Sequence, residues 1–323
     1  LGRSGPAAGT AETAETAPAS SGGGGGTDGS GGGSGGPADG ADPAGEAELS
    51  RRLFVSRTVA VGAAAVAAST VGYGFWAARQ LATKHVTVEI VNLPRAAEGY
   101  RITVVGDVHL STVLGRSHCE RVVDAINATD ADAIAMVGDL VDARVQDLRN
   151  AVEPLARLRS RDGAFFVTGN HEYYAGWAGG WTERVRELGM IVLENAHQEM
   201  PCGIDIVGVN DIEGEAYEND APDLPKALSG RDPARPSVLL SHRPAQIHDA
   251  VDHKVDLVLT GHTHGGQMWP GPIIADLANP TLAGLERYGD TQLFVTRGAG
   301  TWGPPVRVGA EPDITVVHLT AAP

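Results

Sequence analysis

Five short blocks stand in one order along this chain: Gly106-Asp107-Val108-His109, Gly138-Asp139-Leu140-Val141-Asp142, Gly169-Asn170-His171-Glu172, Ser241-His242 and Gly261-His262-Thr263-His264. Each follows a short apolar run, respectively Arg101 to Val105, Ala133 to Val137, Ala164 to Thr168, Ser237 to Leu240 and Val255 to Thr260. Runs of this length, closed by Gly or a turn former, predict buried strands whose following side chains sit on loops at one edge of a sheet. Helical stretches alternate with them, at Ser117 to Ala128, Val145 to Arg159, Gly179 to Leu188 and Pro244 to Val251. Strands alternating with helices predict an α/β layered domain. Separated loops then bring carboxylates, imidazoles and one carboxamide to a single centre.

Oxygen and imidazole donors suit hard or borderline divalent ions such as Mn, Fe or Zn. Two such ions about 3.5–4 Å apart bind a phosphate and polarise a water between them. A group that bridges two metals must be an anion with two usable oxygens, and Asp139 offers that directly after a strand and a Gly. Asn170 offers only a neutral carbonyl oxygen, which leaves its metal more electrophilic. Taken singly, an Asp after a strand is also a helix cap, an Asn in Gly-Asn-His a turn former and a lone His a packing residue. The ordered set of five carries the specificity.

At these residues the chain resembles the calcineurin-like metallophosphoesterase superfamily, whose pattern reads D-x-H, GD-x-x-D, GNH, H and GH-x-H. The resemblance runs from about Val86 to Leu319. The stretches Gly169-Asn170-His171-Glu172-Tyr173-Tyr174, Gly261-His262-Thr263-His264-Gly265-Gly266-Gln267 and Arg297-Gly298-Ala299-Gly300-Thr301-Trp302-Gly303-Pro304-Pro305 look like its bacterial membrane-anchored or exported, twin-arginine branch. The resemblance implies a four-layer α-β-β-α sandwich of two mixed sheets with the metals at the strand ends, Gln292 to Thr296 and Ile314 to Leu319 completing the second sheet. It implies two divalent metal ions, the first held by Asp107, His109 and His264, the second by Asn170, His242 and His262, with Asp139 bridging. It implies in-line attack on phosphorus by a hydroxide held between the metals, with no covalent phosphoenzyme. It also implies that His171 faces the leaving group as general acid and that Asp142 holds it, although Asp142 also fits a solvated turn. A carboxylate partner raises a histidine's pKa and fixes its tautomer.

One departure bears on the substrate. Protein phosphatases of the superfamily continue the second block as GD-x-x-D-R-G, whereas Asp142 is followed here by Ala143-Arg144. The missing arginine is a clamp on a dianionic monoester, so phosphodiester hydrolysis fits better than phosphoprotein hydrolysis. A phosphomonoesterase or nucleotidase using the same metals is the alternative, and a retired, membrane-tethered binding module a third. Tyr173, Tyr174, Trp177, Trp181, Trp269 and Trp302 follow the site loops, where they fill a core or line a groove for an apolar or sugar part of the substrate. His85, His118, His197, His248, His253 and His318 lie outside the blocks and read as surface or packing residues.

The rest of the chain divides by composition. Residues 1–49 are dominated by Gly, Ala, Ser, Thr and Pro, too little apolar surface to offset ordering entropy, and are expected to be a disordered linker. Residues 50–83 form the next unit. Thr58 to Ala78 is an uncharged run that, at about 1.5 Å per residue, just crosses a hydrocarbon core of about 30 Å. Ser50-Arg51-Arg52-Leu53-Phe54-Val55 before it resembles a twin-arginine export signal, while the same arginines also suit the cytoplasmic end of an uncleaved anchor. Either reading places residues 84–323, the metallophosphoesterase domain, outside the cytoplasmic membrane, and with no clear small-x-small cleavage site just after Ala78 an uncleaved anchor, hence a single-pass cell-membrane protein, is expected. The chain carries 25 Lys and Arg against 40 Asp and Glu, of which 19 and 33 lie beyond residue 85. A domain so acidic repels long nucleic acids, leaving a small-molecule or lipid-linked phosphodiester as the expected substrate and the membrane and the twin-arginine machinery as partners. Cys119 and Cys202 are open to pairing or to burial as free thiols.

Overall fold

A computed structural model describes residues 43–323. Its strands are β1 (Ala82–Ile90), β2 (Arg101–Val105), β3 (Ala133–Val137), β4 (Ala164–Val167), β5 (Ile191–Val192), β6 (Ala196–Glu199), β7 (Asp205–Gly208), β8 (Ser237–Leu240), β9 (Leu257–Thr260), β10 (Gly284–Tyr288), β11 (Thr291–Val295) and β12 (Asp313–Ala321). Its helices are α1 (Pro43–Ala77), α2 (Arg116–Ala128), α3 (Val145–Val152), α4 (Asn170–Tyr174), α5 (Ala178–Glu187), α6 (Leu224–Leu228), α7 (Ile247–Asp252) and α8 (Gly271–Ala278). The strands form two six-stranded mixed sheets, in the orders β1-β12-β2-β3-β4-β5 and β10-β11-β9-β8-β7-β6.

Side-chain alternation along the strands sets the layers. Ile102, Val104, Ala133, Ala135 and Val137 of the first sheet pack against Val238, Leu240, Leu257 and Leu259 of the second. The opposite face of the first sheet, through Ile134, Met136 and Phe166, packs on α2, α3 and α5. Val207, Leu239 and Val258 on the outer face of the second sheet join Leu224, Ile247 and Ala250 of α6 and α7. The result is the expected α-β-β-α arrangement.

Two expectations are corrected and one open alternative is resolved. Ile314 to Leu319 lies not in the second sheet but within β12 of the first, between β1 in parallel and β2 in antiparallel register. Every residue from Asp313 to Val317 is buried, so its hydropathy called for a central strand without specifying which neighbours it has. Secondly, of the linker expected over 1–49, residues 1–42 lie outside the described residues and residues 43–49 are helical. Pro43 occupies the first helical position, where a missing N–H breaks no bond, and the following Ala and Glu residues favour helix. Cys119 and Cys202, open to either state in the sequence, are both free and buried, in different cores, and do not pair. Within α1, Ser50–Ala77 is long and apolar enough to cross a membrane, with a mean hydropathy of 1.5, and it is exposed until its last turn, where Gly74 and Ala77 are buried.

Candidate metal centre

All five blocks leave the carboxyl ends of strands: β2, β3 and β4 of the first sheet and β8 and β9 of the second. The loops are stitched across the sheets, because His242 Nδ1 lies 2.9 Å from the carbonyl oxygen of Val137 at the end of β3. A carbonyl only accepts, so Nδ1 donates and Nε2 is the ring atom aimed inward. The motif glycines serve this closeness. A Cβ on Gly169 would stand 2.3 Å from Asp139 Oδ1 and one on Gly261 would stand 2.3 Å from Asp107 Oδ2. Asp107, His109, Asp139, His262 and His264 all adopt the left-handed backbone region, with φ between 47° and 71°. Such positions are costly for residues with a Cβ, least so for Asp, Asn and His, and are held by the surrounding fold.

Two donor clusters result. In one, His109 Nε2 lies 2.9 Å from His264 Nε2, and His264 Nε2 lies 3.4 Å from Asp107 Oδ1. In the other, His242 Nε2 is 3.1 Å from Asn170 Oδ1, 3.1 Å from His262 Nδ1 and 3.2 Å from Asp139 Oδ2. Asp139 Oδ2 is also 3.7 Å from His109 Nε2, so this carboxylate stands between the clusters. The seven residues singled out in the sequence are therefore brought together. Nε2 of His242 faces three atoms able to accept, a grouping that suits a cation in their midst.

Electrostatics agree with that fit. Burial opposes charging His242, yet the Asp139 carboxylate raises its pKa to about 10, a measure of how strongly the cluster attracts positive charge. Burial alone would raise Asp139, but His242, His109 and His171 outweigh it and hold its carboxyl well below the ordinary range. Asp107 is raised to about 6 by burial, with Asp139 adding to it and His242 opposing. His262 is pushed down to about 3 by burial and by His242, and His264 goes down for like reasons, leaving both neutral as metal ligands must be.

Asp142 Oδ1 accepts from two imidazoles at once, 2.6 Å from His109 Nδ1 and 2.8 Å from His171 Nδ1. Its carboxylate is thus tied to two imidazoles of the site. Burial works to lower His171, but the bond to Asp142 and the charge of Asp139 raise its pKa above the usual value.

Two residues escaped the sequence reading. Glu172, fully buried, accepts from the backbone N–H groups of Asp139 at 3.0 Å, Leu140 at 2.8 Å and Gly169 at 2.6 Å. Burial and the Asp139 charge raise its pKa to about 8, with the backbone donors pulling the other way. Arg307, also buried, donates to the carbonyl oxygens of Gly300 at 2.8 Å and Ala310 at 3.1 Å, with Nη2 3.1 Å from His264 Nδ1. Tyr173 and Trp181 are core residues, whereas Tyr174 and Trp302 are exposed and line the cavity over the donors.

The pattern of the calcineurin-like phosphoesterases matches residues 100–266. The chain belongs to that family. Its clustered His and Asp donors suit divalent metal ions. This phosphoesterase is 36% identical over 248 residues to a transmembrane protein with metallophosphoesterase domain of Danio rerio, covering 73% of this chain and 57% of that one. The protein of the same description from Bos taurus is 38% identical over 76% of this chain and 59% of its own. An uncharacterized metallophosphoesterase of Aquifex aeolicus is 32% identical over 74% of this chain and 92% of its own. The chain thus spans less than two thirds of the two vertebrate relatives. Relatives in animals as well as bacteria do not single out a bacterial exported branch.

Proposed function

We propose that the protein is a phosphodiesterase with two divalent metals, Mn, Fe or Zn, held by Asp107, His109 and His264, by Asn170, His242 and His262, and by Asp139 between them. Bound there, the two cations supply charge neutralisation at the phosphoryl oxygens and lower the pKa of a water. His171 gives a proton to the departing oxygen. Its Nδ1 is engaged by Asp142, which leaves Nε2 as the atom to face the cavity that His171 lines.

The observation that carries the diester reading is the cavity lining. A cavity of about 640 Å³ lies over the donors, and no Lys or Arg is among the residues that line it. The cation following His242 is engaged elsewhere, Arg243 donating to Asp211 and Glu213. A monoester dianion would leave its second charge without a side-chain partner, whereas a diester carries one charge fewer. The Mn-loaded protein is expected to cleave bis(p-nitrophenyl) phosphate at least about tenfold more efficiently, in kcat/KM, than p-nitrophenyl phosphate. The reverse preference would replace this reading by a phosphomonoesterase or nucleotidase.

The membrane-length helix and the vertebrate relatives named as transmembrane proteins support attachment to the cell membrane. We place the domain outside the cytoplasm, because Arg51, Arg52 and Arg57 precede the apolar stretch and only Arg79 and Lys84 follow it. The arginine pair also supports a twin-arginine route. Protease added to intact cells is expected to degrade the domain, and full protection of it would reverse the orientation.

A further inference from the structure

An apolar surface runs from the dimetal cavity out to solvent along α8. The helix has no buried residue and one charge, Asp276. Ile273, Ile274 and Leu277 are 59%, 69% and 85% exposed, and Trp269 just before it is 71% exposed. A helix of a water-soluble face buries its apolar stripe, and exposed apolar surface of this kind marks a contact. Two faces can be told apart. Ile274 and Ala278, four apart, line the cavity, whereas Ile273 and Leu277, also four apart, do not.

The surroundings of α8 select the occupant. Met268 is bridged to Val308 and Gly309, and Trp269 N–H donates to the Val308 carbonyl at 3.2 Å. The same loop meets the last turns of the membrane-length helix α1. Arg307 N–H donates to the Gly74 carbonyl at 3.0 Å, and a Cβ on Gly74 would fall 2.4 Å from Val306 and 3.0 Å from Val308. One short loop thus joins the end of the anchor to the start of α8. That places an apolar helix with an exposed tryptophan beside the bilayer, the setting of interfacial helices.

We infer that Ile273, Leu277 and Trp269 lie in the bilayer interface, and that the cavity takes a lipid phosphodiester whose acyl chains stay in the membrane along Ile274 and Ala278. This deepens the phosphodiesterase reading and rests on it.

The test uses the full chain, Mn-loaded, in dioleoyl phosphatidylcholine vesicles. Phosphatidyl-p-nitrophenol in the bilayer and bis(p-nitrophenyl) phosphate in solution share a leaving group. The double variant Ile273→Glu with Leu277→Glu is expected to lose roughly tenfold or more of the lipid turnover while keeping the soluble turnover. Independently of activity, vesicles with brominated acyl chains should quench the part of the tryptophan emission that Trp269→Phe removes. Soluble turnover with equal lipid turnover by both proteins would overturn the inference and leave the phosphodiesterase reading standing. Failure to cleave either ester would overturn that reading, and with it the substrate assignment. Unquenched Trp269 would overturn the membrane placement whatever the activity. A dimer in detergent that the double variant abolishes would assign the face to a second copy and likewise overturn the inference.

Discussion

His171→Ala lowers kcat on a phosphodiester with an alkyl leaving group by about 10²–10⁴-fold, the range for loss of a positioned general acid. Bound metal per protein stays unchanged, because the side chain is not among the seven proposed ligands: its Nδ1 goes to Asp142 at 2.8 Å. The loss is graded by leaving group. An alkoxide departs only with a proton, whereas p-nitrophenolate needs little help, so the deficit on p-nitrophenyl esters is expected to be at least about tenfold smaller. Asp142→Asn behaves differently, because the same carboxylate oxygen holds His109 at 2.6 Å. It is expected to weaken metal binding as well as turnover, by about 10–100-fold for an outer partner of a ligand. Equal losses on alkyl and nitrophenyl esters, or loss of metal from the His171 variant, would remove His171 from the proton-transfer role.

Glu172→Ala is expected to destabilise the metal-stripped protein by about 3–5 kcal/mol, which lowers the thermal midpoint by roughly 6–20 °C for a domain of this size. Its carboxylate is the only acceptor that reaches the N–H groups of Asp139, Leu140 and Gly169 together. Removing it orphans three buried donors and opens a void, against which relief of repulsion with Asp139 is a smaller gain. Glu172→Gln keeps one oxygen acceptor but turns an NH2 group toward a donor, so an intermediate loss is expected. Calorimetry on chelated protein checks this. A change below about 1 kcal/mol would make Glu172 a bystander.

What the sequence revealed and what it hid follow from the range of the forces involved. β2, β3 and β8 coincide with the runs read from the sequence, because an apolar run ended by Gly or a turn former is a local signal. The seven clustered donors were legible because their spacing is set by chain segments that must each return to one edge. Glu172 stood in a quoted block yet went unread, since its partners are backbone amides of another loop and backbone amides leave no trace in a sequence. Arg307 had no signal at all. Its role depends on a loop that folds five carbonyl oxygens around one guanidinium, those of His264, Arg297, Gly298, Gly300 and Ala310. The place of β12 failed for a related reason: periodicity says that a segment is a strand but not which strands it lies between.

The place of β12 has a consequence for biosynthesis. Asp313–Ala321, the last strand of the domain, is inserted between β1 and β2, its first two. While the ribosome is still adding it, β1 has no partner in its sheet, and Asp313, which accepts from Lys84 Nζ at 2.7 Å and Thr296 Oγ1 at 2.6 Å, is not yet in place. Pairings this distant along the chain close late and slowly. The nascent polypeptide is therefore expected to close its first sheet only once translation of the domain is finished, and a truncation that removes β12 should yield an insoluble product, which the soluble fraction on expression would show.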